Sequence, residues 1–149
     1  MPPRTAPCAL VAITLFLSGF VGFAKPSEAF AVTRAEKILI RAVNNARTSR
    51  GLRSLRLGSF LQYTSHRWAS YLLYHDAFYH GSLGYSVREN IAWLSCRAGW
   101  AGTTVRMWLN SSAHRSALLD RSARKLGVGV ATGNWSGWSC VRMSVARFR

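Results

Sequence analysis

An unbroken run of apolar or small residues, Cys8 to Ala24, decides how much of this chain has to fold and in what surroundings. Arg4 precedes it as the positive end of an export signal, and Ala29-Phe30-Ala31 follows as a small-x-small cleavage site before Val32. The run is 17 residues long and diluted by Ser18, Gly19 and Gly22, which is short for a permanent span. An uncleaved N-terminal anchor is the alternative. Read as a signal, residues 1–31 take no part in the fold. Val32 to Arg149 then leaves 118 residues, which suits a single domain with one core, and the product is expected to be secreted.

Export also bears on the cysteines. Cys8 opens the apolar run, too early to be a lipidated cysteine at the cleavage site, so two remain, Cys96 and Cys140. An even count in an exported chain reads as one disulfide, with two buried thiols as the alternative. The bridge would close a loop of about 45 residues, worth at most about 4 kcal/mol in the chain-entropy model.

The formal charge is +15, or +14 without the signal, and 17 of the 20 basic residues are arginine. So much positive charge favours anionic partners: an acidic cell-wall polymer, anionic lipid or nucleic acid. The basic residues are scattered singly from Arg34 to Arg149 and form no recognised nucleic-acid module. The expectation is therefore a basic exterior on a monomer, without sequence-specific nucleic-acid binding.

Thr33 and Glu36 fit a capping box ahead of a helix whose apolar face is Ile38, Leu39, Ala42, Val43 and Ala46, and Gly51 ends it. Leu52, Leu55 and Leu57 alternate through a short extended connection, and a second helix follows over about Phe60 to Tyr74. His66 and His75 fall on that helix or at its end and read as surface or boundary residues. Thr103-Thr104 is expected to cap a third helix carrying Val105, Met107, Trp108 and Leu109. Leu126 to Ala131 alternates with glycine as a strand, Thr132-Gly133-Asn134 is expected to begin a turn, and Trp138 to Phe148 returns as the closing strand. Helices followed by a terminal hairpin imply α+β, with helices packed on a small antiparallel sheet.

The chemistry converges on the span from Phe78 to Arg115, which holds His80, Glu89 and His114 in a chain of only four histidines and five acids. A carboxylate between two imidazoles can fix a tautomer, help assemble a divalent metal site, or pass a proton. Spacing alone does not choose among the three.

Phe78-Tyr79-His80, Glu89-Asn90-Ile91-Ala92, Trp108, His114-Arg115 and Leu126-Gly127-Val128-Gly129-Val130-Ala131 together resemble the bacterial branch of the CAP superfamily (cysteine-rich secretory protein, antigen 5, pathogenesis-related 1). Asn44, Arg47, Gly51-Leu52 and Leu55 resemble its first-helix pattern, so the likeness runs over roughly residues 36 to 148. It implies a three-layer α/β/α sandwich with His80, Glu89 and His114 around one cleft, and a structural role for Asn44 and Arg47. Two departures stand out. Arg88 replaces the usual glycine, which is expected to alter the turn and to set a permanent cation beside Glu89. Ser111 stands where eukaryotic members carry a second glutamate, leaving three of four polar positions.

The resemblance implies a secreted binding protein whose His80 and His114 take Zn²⁺ weakly, with Glu89 as a supporting acceptor and a lipid-like or anionic ligand nearby. Two alternatives stay open. One is a hydrolase, protease-like, using metal-activated water or the candidate acid–base residues His80, Glu89 and His114. The other is a non-catalytic basic protein held to the cell wall by charge.

Overall fold

The computed structural model describes residues 31–84 and 86–149; the expected export signal lies, but for Ala31, outside them. The element order is α1 (Arg34–Thr48), β1 (Arg56–Leu57), α2 (Ser59–Tyr74), β2 (Arg88–Ser95), α3 (Trp100–Asn110), α4 (Ser112–Leu118), β3 (Lys125–Trp135) and β4 (Trp138–Phe148). The strands form one sheet in the order β1-β3-β4-β2. β4 runs antiparallel to both β2 and β3, while the two-residue β1 pairs parallel with β3. The three long strands are antiparallel, as expected of a small antiparallel sheet, and the two-residue β1 adds one parallel edge that makes the sheet mixed. The chain returns beside β1 in the same direction only at β3, after a long crossover through α2, β2, α3 and α4. No helix among the described residues is long and apolar enough to cross a membrane.

The alternation of β3 explains the three layers. Leu126, Val128 and Val130 point into the larger core, where α1, α3 and α4 bring Leu39, Val43, Val105, Trp108 and Leu118. Gly127 and Gly129 point the other way, against α2. A Cβ on Gly127 would lie 2.1 Å from the Leu61 carbonyl carbon, and one on Gly129 1.9 Å from the Ser65 carbonyl oxygen. The absent side chains let the α2 backbone rest directly on the sheet. Gln62 completes that contact by donating to Val128 O at 2.7 Å and accepting from Val128 N–H at 2.9 Å. A smaller core on this side gathers Ala69, Leu72, Ile91, Met143 and Val145.

The α1 capping box is formed: Thr33 Oγ1 accepts the Glu36 N–H at 3.2 Å, and Glu36 Oε2 accepts the Thr33 N–H at 2.8 Å. Gly51, at φ +70°, closes the turn that follows α1. Asn44 bonds Leu55 N–H and C=O at 2.8 and 3.2 Å, fixing the connection to β1. Buried Arg47 donates to the carbonyls of Leu118, Asp120 and Arg53, tying α1 to the end of α4. Both residues hold the structural role that the resemblance implied.

Two boundaries differ from expectation. α3 starts at Trp100, three residues before Thr103, because Gly99 in the left-handed region (φ +68°) turns the chain early and Trp100 is buried as an anchor. The terminal hairpin turns at Ser136-Gly137, not at Thr132–Asn134. Positive φ at both residues (+46° and +79°) gives the tight turn that suits twisted strands, and the extra strand length is absorbed by a register shift between Gly133 and Trp135. Cys96 and Cys140 are bonded, with Cα atoms 5.3 Å apart, tying the loop after β2 to β4.

Candidate functional site

Three consecutive residues of β2 hold the site together, each through a different group. Glu89 works through its side chain. Its direct cross-strand partner on β4 is Arg147, and the two side chains are only 6% and 3% exposed. Arg147 donates from Nε and from Nη2 to Glu89 Oε2, each at 2.8 Å. The other oxygen, Oε1, accepts the Gly81 N–H at 2.9 Å and lies 3.0 Å from His80 Nδ1. Both carboxylate oxygens are thus committed. Gly81 makes this possible, because a Cβ there would come within 2.6 Å of Arg147 Nη2 and 2.9 Å of the Trp68 ring.

Asn90, the next residue, is fully buried and donates from Nδ2 to His114 O at 2.9 Å, pinning α4 to the strand. Ile91 then uses its backbone: its carbonyl accepts the Trp108 Nε1–H at 3.0 Å, pinning α3. Through these bonds His80 and His114 meet, with ring centroids 6.0 Å apart and planes tilted by 46°.

The two imidazoles differ in surroundings. His80 is 55% exposed and gives Nδ1 to Glu89, which leaves Nε2 as its free lone pair. His114 is half-buried. Burial, and secondarily the charge of His80, lower its pKa below the usual histidine value, so it favours the neutral form. Neutral imidazole nitrogen is the donor a divalent ion needs. Among the described residues no group of three or more His, Cys, Asp or Glu side chains is placed to hold an ion.

Arg88 does not play the part expected of it. It lies in β2 outside the positive-φ region, and its guanidinium faces Asp120 Oδ2 at 3.7 Å and Ser116 O at 3.3 Å. Side chains of successive strand residues point to opposite faces, so Arg88 and Glu89 diverge. The cation beside Glu89 is Arg147, a residue that sequence reasoning passed over. Its signal was the pairing of two expected strands, which puts Arg147 opposite Glu89 once the register is known. Ser111 is the N-cap of α4, its carbonyl accepting the Arg115 N–H at 2.8 Å. His66 stands apart from the cleft, with Nδ1 2.8 Å from the fully buried Glu36. His75 caps α2 and packs on Tyr71.

Beside His114 opens a cavity of about 700 Å³. Its walls are mainly apolar, with Phe78, Trp93, Leu94, Met107, Trp108 and Trp138, and Ser111, His114 and Arg97 supply polar groups. Phe78, Met107 and Trp138 are exposed at its surface.

An α/β/α sandwich with a His/Glu/His cleft defines a CAP-type domain. The chain belongs to the cysteine-rich secretory protein (CAP) family, whose sequence profile matches residues 40–141. Solved structures share the fold. An outer surface protein of Borrelia burgdorferi is 20% identical, with TM-score 0.59, over 79% of this chain and 93% of its own. MpPR-1i is 21% identical, with TM-score 0.56, over 76% and 89% of the two chains. BmVAL-1 is 15% identical, with TM-score 0.59, over 83% and 80%. No curated protein matches in sequence.

Proposed function

We propose that this is a secreted binding protein of the cell envelope whose His80 and His114 hold one divalent ion, zinc foremost, beside a cavity for a lipid-like ligand. The observation that supports this reading is the 6.0 Å separation of the two rings. Burial, with the charge of His80 second, lowers the His114 pKa and favours its neutral form, and His80 is turned by a buried carboxylate so that one nitrogen stays free. Bound there, the ion would supply Lewis acidity and open positions for water or an anionic group. Two protein ligands make the affinity modest and reversible. The largely apolar walls of the adjoining cavity suit an acyl chain or a flat hydrocarbon.

A binding role fits the site better than hydrolysis. Glu89 has both oxygens occupied by Arg147, Gly81 and His80, which removes it as a free general base. Calorimetric zinc titration of the protein, with His80→Ala and His114→Ala, tests the metal site. Each single variant should lose most of the binding. Variants that bind zinc as well as the parent would reduce the three residues to a structural role.

A further inference from the structure

A second cavity, of about 720 Å³, lies between α1, the loop after β2, the start of α3 and β4. Three arginines from three separate elements line it: Arg41 of α1, Arg97 of the loop and Arg142 of β4. Arg142 is held in place from two sides. Its guanidinium lies 5.1 Å from the centre of the buried Trp100 ring, and Nη1 donates to Arg97 O at 3.4 Å. Among the described residues no acidic side chain answers these charges. The described residues contain four, and all are engaged elsewhere: Glu36 with Thr33 and His66, Asp76 with Ser136, Glu89 with Arg147, His80 and Gly81, and Asp120 with Ser122 and Arg88.

Three like charges around one concavity repel one another, and an anion relieves that repulsion. We infer that this cavity is a binding site for a phosphate monoester. A guanidinium fork matches phosphate oxygens two at a time, and forks arriving from three elements suit a tetrahedral dianion better than a planar carboxylate. The start of α3 adds a small favourable field, since Gly99 offers no side-chain cap and the first turn has no acid. The helix end alone would make no site; the arginines carry it. The cavity is far larger than one phosphate, which leaves room for the rest of a headgroup beside Ile38 and Ala98. This site adjoins the cavity beside His114, with which it shares Arg97, but Arg41 and Arg142 line it alone and it does not depend on metal at the histidines.

The test is titration calorimetry with inorganic phosphate and, separately, with monomeric dihexanoyl phosphatidic acid, at ionic strength matched with sodium chloride. The protein should bind with a 1:1 stoichiometry, and Arg41→Gln, Arg97→Gln and Arg142→Gln should each weaken binding by about tenfold. Arg121→Gln removes the same charge from an exposed site after α4 and should change affinity by less than about twofold. Thermal melting of each variant checks folding, and the exposed Arg41 and Arg97 keep the test decisive if Arg142→Gln unfolds. Phosphatidic acid binding about tenfold tighter than phosphate would make a lipid headgroup the natural source, and equal affinity would make it free phosphate. Absence of saturable binding to both, or an Arg121→Gln loss as large as the others, would overturn the inference.

Discussion

Glu89 and Arg147 face each other across β2 and β4 as a two-pronged ion pair with almost no access to water. Removing one partner from such a pair leaves a buried charge without compensation. Glu89→Gln should therefore cost about 3–5 kcal/mol in chemical denaturation. Replacing both, as Glu89→Gln with Arg147→Met, should cost less than the sum of the two single changes. In Glu89→Gln, His80 also loses its charged acceptor, so zinc affinity should drop about 10–100-fold. Full additivity of the two changes would mean that the pair is not coupled.

The close seat of α2 on β3 makes a sharper stability prediction. Gly129→Ala drives a Cβ into the backbone of Ser65, where no flexible side chain can yield. The expected loss is about 3 kcal/mol or more, at the upper end of overpacking costs. Gly102→Ala, inside α3, meets only the Arg106 side chain at 3.7 Å and should stabilise by about 0.5–1 kcal/mol through helix propensity. Urea denaturation of both variants checks the pair of signs.

How much of this could be read from the chain alone differs by element. The capping box at Thr33, the closing strand from Trp138 to Phe148 and the cysteine pair were legible, because each rests on local chemistry or simple counting. The Leu126–Ala131 alternation was legible as a strand, but the helix backbone against its glycines was not, since that contact is set by tertiary packing. The start of α3 was misplaced because Gly99 acts as a left-handed entry where Thr103-Thr104 looked like a better cap. At the site, His80, Glu89 and His114 were found through resemblance and do cluster. Arg147 was missed because its role comes from strand register, 58 residues away from Glu89. Arg88 was misassigned for the opposite reason: adjacency in sequence is divergence on a strand.

The Cys96–Cys140 bridge ties the chain together across a separation of 44 residues. Cross-linking at that distance limits the unfolded ensemble, and the chain-entropy model gives it about 4 kcal/mol. The double variant Cys96→Ser, Cys140→Ser should therefore lose about 2–4 kcal/mol while keeping its far-ultraviolet circular dichroism. A loss below about 1 kcal/mol would show that the unfolded state is already compact without the bridge.

His114 supplies the pH dependence. Its folded pKa lies below the unfolded value near 6.5, first through burial and then through the charge of His80. The folded state thus binds fewer protons than the unfolded one in the interval between the two values. Stability contributed by the neutral ring is complete above about 6.5 and is lost as pH falls through the depressed folded pKa. Proton NMR titration of the His114 ring should give a midpoint below the ordinary histidine value. In His80→Gln the midpoint should rise part of the way back, since the second cause is gone and burial remains. His114→Gln should flatten the stability curve over the interval just below about pH 6.5, measured by urea denaturation at about half-unit steps. A His114 midpoint at or above 6.5 would contradict both the buried setting of the ring and its readiness to bind a metal at neutral pH.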